Sequence, residues 1–144
     1  MKKIISILAI MTSIGFISVA QATEHCPKLH EINETGSGVF SADGENGKWS
    51  GVLQGIIGEK NPVQSFKMSI AIQESESTPL KFQYCTYNIN TNKTLDMRFT
   101  PKNEKEFTIK TEGNGWTKES GNFGLTYNVC ENTLPENCIF KISQ

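Results

Sequence analysis

Apolar and polar residues alternate with a period of two through much of this sequence, and this alternation limits the folds that the chain can adopt. The clearest stretch is FKMSIAIQ at 66–73, where Phe66, Met68, Ile70 and Ile72 would point to one side of an extended strand. Lysine and serine lie between them and would face solvent. The pattern predicts a half-buried antiparallel strand with these four apolar side chains in the core.

Three other stretches, at 94–100, 106–110 and 123–129, show the same alternation. It predicts that their apolar side chains face inward: Leu95, Met97, Phe99, Phe107, Ile109, Phe123, Leu125, Tyr127 and Val129. Between residues 80 and 89 the apolar set changes parity near Tyr84. Either a β-bulge or burial on both faces would account for this change.

Shorter strands are expected at 39–41, 49–54 and 138–142, and turn sequences such as Asn46-Gly47 separate them. No segment after residue 22 has a convincing helical period. About seven or eight short strands in roughly 120 residues are typical of an all-β domain. We therefore predict a single antiparallel β-sandwich or flattened barrel.

The amino-terminal residues have the features of a cleavable signal peptide. Two lysines precede the apolar run at 4–20, which ends in the A-x-A sequence of Ala20-Gln21-Ala22. A retained membrane anchor is disfavoured because the run is shorter than the roughly 20 residues that span a bilayer. We expect a detached helix at 1–22 and, after cleavage, one domain formed by the remaining 122 of the 144 residues, 23–144.

All four cysteines, Cys26, Cys85, Cys130 and Cys138, lie in the exported part. Lipidation of Cys26 is disfavoured because Thr-Glu-His precedes it, and a zinc site is disfavoured because no CxxC pair or spaced histidine pair is present. An even number of exported cysteines predicts disulfides. A strand, a proline turn and a returning strand between Cys130 and Cys138 would bring them together, so we prefer this pair with Cys26–Cys85 over the other two pairings.

The charge of the exported part excludes two classes of partner. Without Lys2 and Lys3 the 14 basic residues become 12, against 15 acidic residues, which gives a net charge of about −3. Arg98 is the single arginine. A mildly acidic chain with scattered lysines has no electrostatic footprint for nucleic acid, nor for a membrane after signal cleavage.

Catalytic motifs are sparse in this sequence. The two histidines, His25 and His30, lie near the mature terminus and belong to no recognisable nucleophile motif. Two of the 15 acidic residues could form a glycosidase pair, but the sequence does not select which two. We assign no catalytic residue, and no cofactor is expected.

The two tryptophans follow similar glycine turns, ENGKWS at 45–50 and EGNGWT at 112–117. Trp49 and Trp116, if exposed side by side, would form an apolar platform for a sugar ring or a partner protein. Alternatively, both begin strands and fill the core. Core filling is the favoured interpretation for a domain of this size.

Cleavage after Ala22 would also create a possible metal site. Thr23 would then carry the free amino group and His25 would be third, so that one amine, two amides and an imidazole could wrap square-planar Cu(II) or Ni(II). Such a site could be adventitious, since a histidine reaches the third position by chance in some proteins. A disulfide at the neighbouring Cys26 could also restrain the backbone.

Four short segments carry a resemblance to a known family: HCP at 25–27, GKWSG at 47–51, CTY at 85–87 and CENTLPENCIF at 130–140. Together they resemble a family of small, signal-bearing proteins of Gram-negative bacteria that is classed as a domain of unknown function. The resemblance covers most of the mature chain. It implies an exported bacterial protein and supplies no catalytic residue.

These observations favour a disulfide-stapled β domain without enzymatic activity, periplasmic or released, that binds a protein or glycan through its loops or a sheet edge. The alternative is a small secreted hydrolase acting on cell-wall or host glycan. A cleft with two carboxylates would favour the hydrolase, whereas a flat or aromatic patch would favour the binding domain.

The cysteine pattern yields a prediction about redox state. Mass spectrometry of the unreduced mature protein should detect no free thiol, and digestion should recover a peptide in which Cys130 is joined to Cys138. Two or more thiols that react with an alkylating reagent, in protein taken directly from the cell envelope, would contradict both the pairing and the oxidising compartment.

Overall fold

The computed structural model describes residues 21–55, 62–89 and 92–144, together with positions 15 and 60. Almost all of the predicted signal helix at 1–22 lies outside the described residues. Among the residues that are described, no helix has the length and apolar character needed to cross a membrane.

The described residues form eleven strands and three single-turn 3₁₀ segments, which confirms the all-β class. The strands are β1 Ala22–His25, β2 Asn33–Gly36, β3 Val39–Asp43, β4 Gly47–Val52, β5 Val63–Gln73, β6 Lys81–Ile89, β7 Lys93–Pro101, β8 Thr108–Glu112, β9 Trp116–Ser120, β10 Thr126–Glu131 and β11 Ile139–Ser143. The 3₁₀ turns are Leu29–Glu31, Asn122–Gly124 and Pro135–Asn137. The predicted number of seven or eight strands is too low because short edge strands such as β1, β2 and β9 lack a long apolar alternation.

The strands form two antiparallel sheets. The large sheet has the order β2-β3-β4-β7-β6-β5-β10-β9, and the small sheet has the order β1-β11-β8. A single bridge between Leu80 and Ile109 links β8 to the start of β6. Side chains of both sheets meet in one core, so the described residues form an open sandwich rather than a closed barrel.

Aromatic rings fill the space between the two sheets. Trp49 on β4 is 1% exposed, and its ring centroid lies 5.1 Å from that of Phe99 and 5.6 Å from that of Phe82. Phe82 of the large sheet stacks on Phe140 of the small sheet at 4.5 Å. The prediction that Leu95, Met97, Phe99 and Ile109 face the core is confirmed, since all four are buried.

Both disulfides have the predicted pairing. The Cα atoms of Cys26 and Cys85 are 5.9 Å apart, and those of Cys130 and Cys138 are 5.7 Å apart. The first bond ties the segment between β1 and β2 to the middle of β6, and the second closes the β10–β11 connection. Two buried disulfides are typical of a protein that folds outside the reducing cytosol.

The predicted facing of β5 is wrong. Ser69 and Ala71 are 0% exposed, whereas Met68, Ile70 and Ile72 are half-exposed. The register shifts between Phe66 and Met68, so that Lys67 is an extra residue in the strand. Phe66 still packs on the core, but the bulge reverses the facing of every residue after it.

The parity change in β6 has the same cause. The register also shifts where Ile70 pairs with Tyr84 and Ala71 pairs with Phe82, which leaves Gln83 as the extra residue. This identifies the bulge as the cause of the predicted parity change near Tyr84. Phe82 and Cys85 consequently both face the core, and Tyr84 faces away from it.

The predicted strand at 123–129 begins too early. Phe123 lies in a turn and is fully exposed, while β10 begins at Thr126. Tyr127 and Val129 pair with Ile72 and Ile70 and share their face, which is turned away from the core. The glycine after Phe123 explains the error, because it allows a tight turn within an otherwise alternating sequence.

The corrected facing of β5 predicts unequal effects of two neighbouring substitutions. Ile70→Ala should cost roughly 1 kcal/mol, below the range for fully buried isoleucine, because Ile70 is half-exposed. Ala71→Leu should cost roughly 1–3 kcal/mol, because Ala71 is fully buried and a larger side chain there would overpack the core. Urea unfolding of the two variants measures both values. If Ala71→Leu left the free energy of unfolding unchanged and Ile70→Ala lowered it strongly, the facing expected from alternation alone would be correct.

Candidate functional site

One face of the large sheet carries a group of adjacent apolar and aromatic side chains that are not packed into the core. The small sheet packs against the opposite face. We call this surface the outer face. It is formed by side chains that the strand register places together on β5, β6 and β10: Met68, Ile70, Ile72, Tyr84, Tyr127 and Val129. Val129 is buried and the other five are half-buried.

The geometry of the outer face follows from the pairing of three adjacent strands. Ile70 on β5 lies between Tyr84 on β6 and Val129 on β10, since each is its directly opposed partner. Opposed residues in antiparallel strands lie about 4.5–5.5 Å apart on the same face. Their side chains therefore form a continuous surface across the three strands.

Polar and charged groups border the outer face on the β7 side. The guanidinium carbon of Arg98 lies 5.1 Å from the ring centroid of Tyr84. The Thr86 hydroxyl donates a hydrogen bond of 2.7 Å to the Asp96 carboxylate. The single arginine of the chain thus covers one tyrosine ring by a cation–π interaction.

A groove of about 570 Å³ continues the outer face beyond Arg98. It lies where the pairing of β4 with β7, which runs from Gly47 to Ser50, ends. Its lining includes Val52, which is 60% exposed, and Lys93. A groove of this volume lies within the range of roughly 300–1,000 Å³ found for ligand sites.

The structure does not bring the two tryptophans together as an exposed platform. Trp49 is buried among aromatic rings in the core, and this confirms the core interpretation for it. Trp116 is half-buried on the edge strand β9, where it faces the core beside Cys130. Its indole N–H donates a hydrogen bond of 2.8 Å to the Ile139 carbonyl. Each tryptophan has a structural role in a different part of the sandwich.

The cavity beside β1 brings several carboxylates together but is small. Its volume is about 90 Å³, and Glu24, Glu31, Asp43 and Glu45 are among its lining residues. This is well below the roughly 300 Å³ of a small-molecule site. No group of three or more histidine, cysteine or acidic side chains among the described residues could hold a metal ion.

The most buried of these carboxylates has a structural function. Glu24 is 2% exposed, and its oxygens accept hydrogen bonds from the backbone N–H groups of His25 at 3.2 Å and Asn46 at 3.0 Å. These bonds hold the β3–β4 turn against β1. A glycosidase pair needs two carboxylates that face a substrate cleft, and Glu24 does not have this arrangement.

The amino-terminal residues proposed for copper lie within β1. Thr23 pairs with Lys141 and His25 pairs with Ile139 on β11. The Thr23 carbonyl accepts a hydrogen bond of 2.6 Å from the Asn46 side chain, and His25 Nδ1 lies 2.8 Å from the Cys26 carbonyl oxygen. To wrap a metal ion, the amides of this segment would have to leave the strand.

Sequence reasoning missed the outer face because it assigned Ile70 and Tyr127 to the core. The small residues Ser69 and Ala71, which separate the larger side chains of β5, are a signal that could have indicated it. Small residues suit a crowded inward position, whereas the larger residues between them can cover an open sheet face.

A family model described as "Protein of unknown function (DUF3757)" matches residues 20–141, and the chain therefore belongs to this family. No curated protein and no solved structure matches the chain. The family match covers β1 to β10 and the first part of β11, and it includes the outer face.

The pairing of β1 predicts the response to copper. The folded mature protein and a His25→Ala variant should give the same visible spectrum on titration with Cu(II) at neutral pH, because the required amides are held in β1. A synthetic peptide of residues 23–30 with serine in place of Cys26 is the positive control, since it is free to wrap the ion. A band in the folded protein that His25→Ala abolishes would show that this terminus does bind copper.

Proposed function

We propose that this member of the DUF3757 family is an exported, non-enzymatic binding domain, periplasmic or released, that contacts a protein or glycan through the outer face. The observation that carries the proposal is the set of half-buried isoleucine, methionine and tyrosine side chains on a sheet face turned away from the core. Two buried disulfides and the apolar leader at 4–20 support export.

The composition of the outer face is unusual for a surface that meets only water. An antiparallel sheet with one solvated face normally presents polar side chains there. Here Ile70 and Ile72 on β5 face outward between two tyrosines instead. Contiguous exposed apolar patches with a polar rim are typical of interaction sites.

The rim supports recognition of a specific partner. Arg98 and Asp96 lie on the β7 side, and the ion pair between Lys81 and Glu74, at 3.0 Å, lies near the far end of β5. An apolar centre with charged groups at its border gives contact area at the centre and selectivity at the edge.

The alternative of a glycan hydrolase has less support from these residues. The cavity with several carboxylates holds about 90 Å³, and Glu24 within it is bound to backbone amides. The groove beside Arg98 contains the carboxylate of Asp96, which accepts a hydrogen bond from Thr86. No observation on the described residues favours a catalytic pair.

Binding experiments with two matched variants test the proposal. Immobilised mature protein is exposed to envelope extract and to a glycan array, in parallel with Ile70→Glu on the outer face and Leu134→Glu, an exposed apolar position in the β10–β11 connection. A charge at the centre of the outer face should weaken binding of the retained ligand at least tenfold, or about 1.4 kcal/mol. Leu134→Glu should change it little.

Thermal melting of both variants controls for folding, since Ile70→Glu must remain folded for the comparison to count. Equal retention of the same ligand by wild-type protein and folded Ile70→Glu would exclude the outer face as the binding surface. Release of sugar fragments from cell-wall glycan by the wild-type protein would support the hydrolase instead.

A further inference from the structure

The turn between β9 and β10 presents an aromatic side chain in an unfavourable backbone conformation. The Leu125 N–H donates a hydrogen bond of 3.1 Å to the Asn122 carbonyl, which closes the turn. Its two central residues, Phe123 and Gly124, have φ values of 57° and 76°. Two consecutive positive φ values within such a turn define type I′.

Phenylalanine is a poor residue for this position. A type I′ turn favours asparagine, aspartate or glycine at its first central residue, because a bulky side chain with positive φ crowds the backbone. Asn122 is adjacent in the sequence but lies one position too early to occupy it. A strained residue persists when the surrounding structure enforces it, and such residues cluster at binding sites.

The Phe123 side chain makes no compensating contact within the described chain. It is 101% exposed, compared with 60% for Val52 and Leu134, the next most exposed large apolar side chains among the described residues. Neither burial nor a favourable backbone conformation therefore accounts for an aromatic ring here.

The turn is held next to the outer face. Gly121 lies against the ring of Tyr127, and any Cβ at Gly121 would collide with that ring. The Gly121 N–H also donates a hydrogen bond of 2.8 Å to the Leu125 carbonyl, which fixes the base of the turn. Because Tyr127 belongs to the outer face, the turn that carries Phe123 adjoins one end of that surface.

We propose that Phe123 is an anchor residue that inserts into an apolar pocket of a protein partner bound to the outer face. This inference rests on the proposed binding function and specifies its partner class. A rigid turn that already displays the ring loses little conformational freedom on binding. Aromatic anchors that enter a pocket dominate the affinity of many protein interfaces.

Charge and chemistry favour a protein over a bilayer or a glycan as the occupant. Lys118 and Glu119 near the turn have opposite charges, and the exported chain is net acidic, so there is no basic cluster to hold an anionic membrane. A glycan needs hydrogen-bonding side chains beside the aromatic ring on which it stacks, but the neighbours of Tyr127 on the outer face are the apolar Ile72 and Val129. An apolar pocket of a protein partner needs neither a basic cluster nor hydrogen-bonding side chains around the ring.

Site-specific crosslinking in the producing cell tests the inference. A photoreactive benzoylphenylalanine replaces Phe123 in one full-length chain and Leu134 in another. We expect irradiation to join a discrete protein to position 123 and not to position 134. That protein is then purified, and its affinity for wild-type protein, Phe123→Asn and Leu134→Asn is measured. Phe123→Asn should bind at least tenfold more weakly, while Leu134→Asn should bind within about twofold of wild type.

Three results on crosslinking and binding would overturn the inference. These are the absence of a specific crosslink at position 123, equal affinity of Phe123→Asn and wild type, and binding to vesicles of phosphatidylcholine and phosphatidylglycerol that depends on Phe123. A melting temperature of Phe123→Asn well below wild type would also contradict it, because asparagine should relieve the strain of the turn. If Ile70→Glu abolishes binding and Phe123→Asn does not, the anchor role of Phe123 is wrong, but binding through the outer face is still supported. If neither variant loses binding, both proposals are wrong.

Discussion

The bond between Cys26 and Cys85 is the constraint on which the arrangement of the two sheets depends. Cys26 directly follows β1, an edge of the small sheet, and soon afterwards the chain enters β2, an edge of the large sheet. The disulfide fixes this crossing to β6 in the middle of the large sheet. The two cysteines are 59 positions apart in the sequence, and for a loop of this length the chain-entropy model gives roughly 4.3 kcal/mol of stabilisation. Beside it, the buried Tyr87 hydroxyl donates a hydrogen bond to the Pro27 carbonyl. Burial, with smaller contributions from Glu31 and Glu136, raises the pKa of Tyr87 well above its usual value, so the hydroxyl remains a donor.

The same disulfide helps to explain the outer face. Ser69 on β5 is the directly opposed partner of Cys85, and its hydroxyl oxygen lies 3.7 Å from the Cys85 sulfur. The inward positions of β5 beside this bond therefore suit small side chains, and serine and alanine occupy them at 69 and 71. The bulge at Lys67 gives the strand this facing while Phe66 stays on the core. As a consequence, the larger Ile70 turns outward and lies on the outer face.

The sequence was sufficient to predict the features that depend on local pattern. Alternation at 94–100 correctly placed Leu95 and Met97 in the core, and spacing correctly paired Cys130 with Cys138. The facing of β5 could not be predicted in this way. Residues 66–72 alternate without a break, so the bulge at Lys67, unlike the one in β6, leaves no mark in the sequence pattern. For the same reason the candidate site was not identified in advance: its side chains were recognised as apolar but were assigned to the wrong face.

The edge strand β9 bears on how a partner can approach the outer face. An exposed edge can recruit an extended peptide by adding it to the sheet, with backbone hydrogen bonds as the main source of affinity. Along β9, however, Lys118 and Glu119 are exposed at the centre of a five-residue strand, and short charged edges oppose such pairing. Self-pairing of two β9 strands centred on Lys118 would place like charges opposite each other. The edge is thus protected against strand addition, while the turn that follows it projects an apolar ring beside an apolar sheet face. This combination favours recognition through side chains, with Phe123 and the outer face as neighbouring parts of one surface.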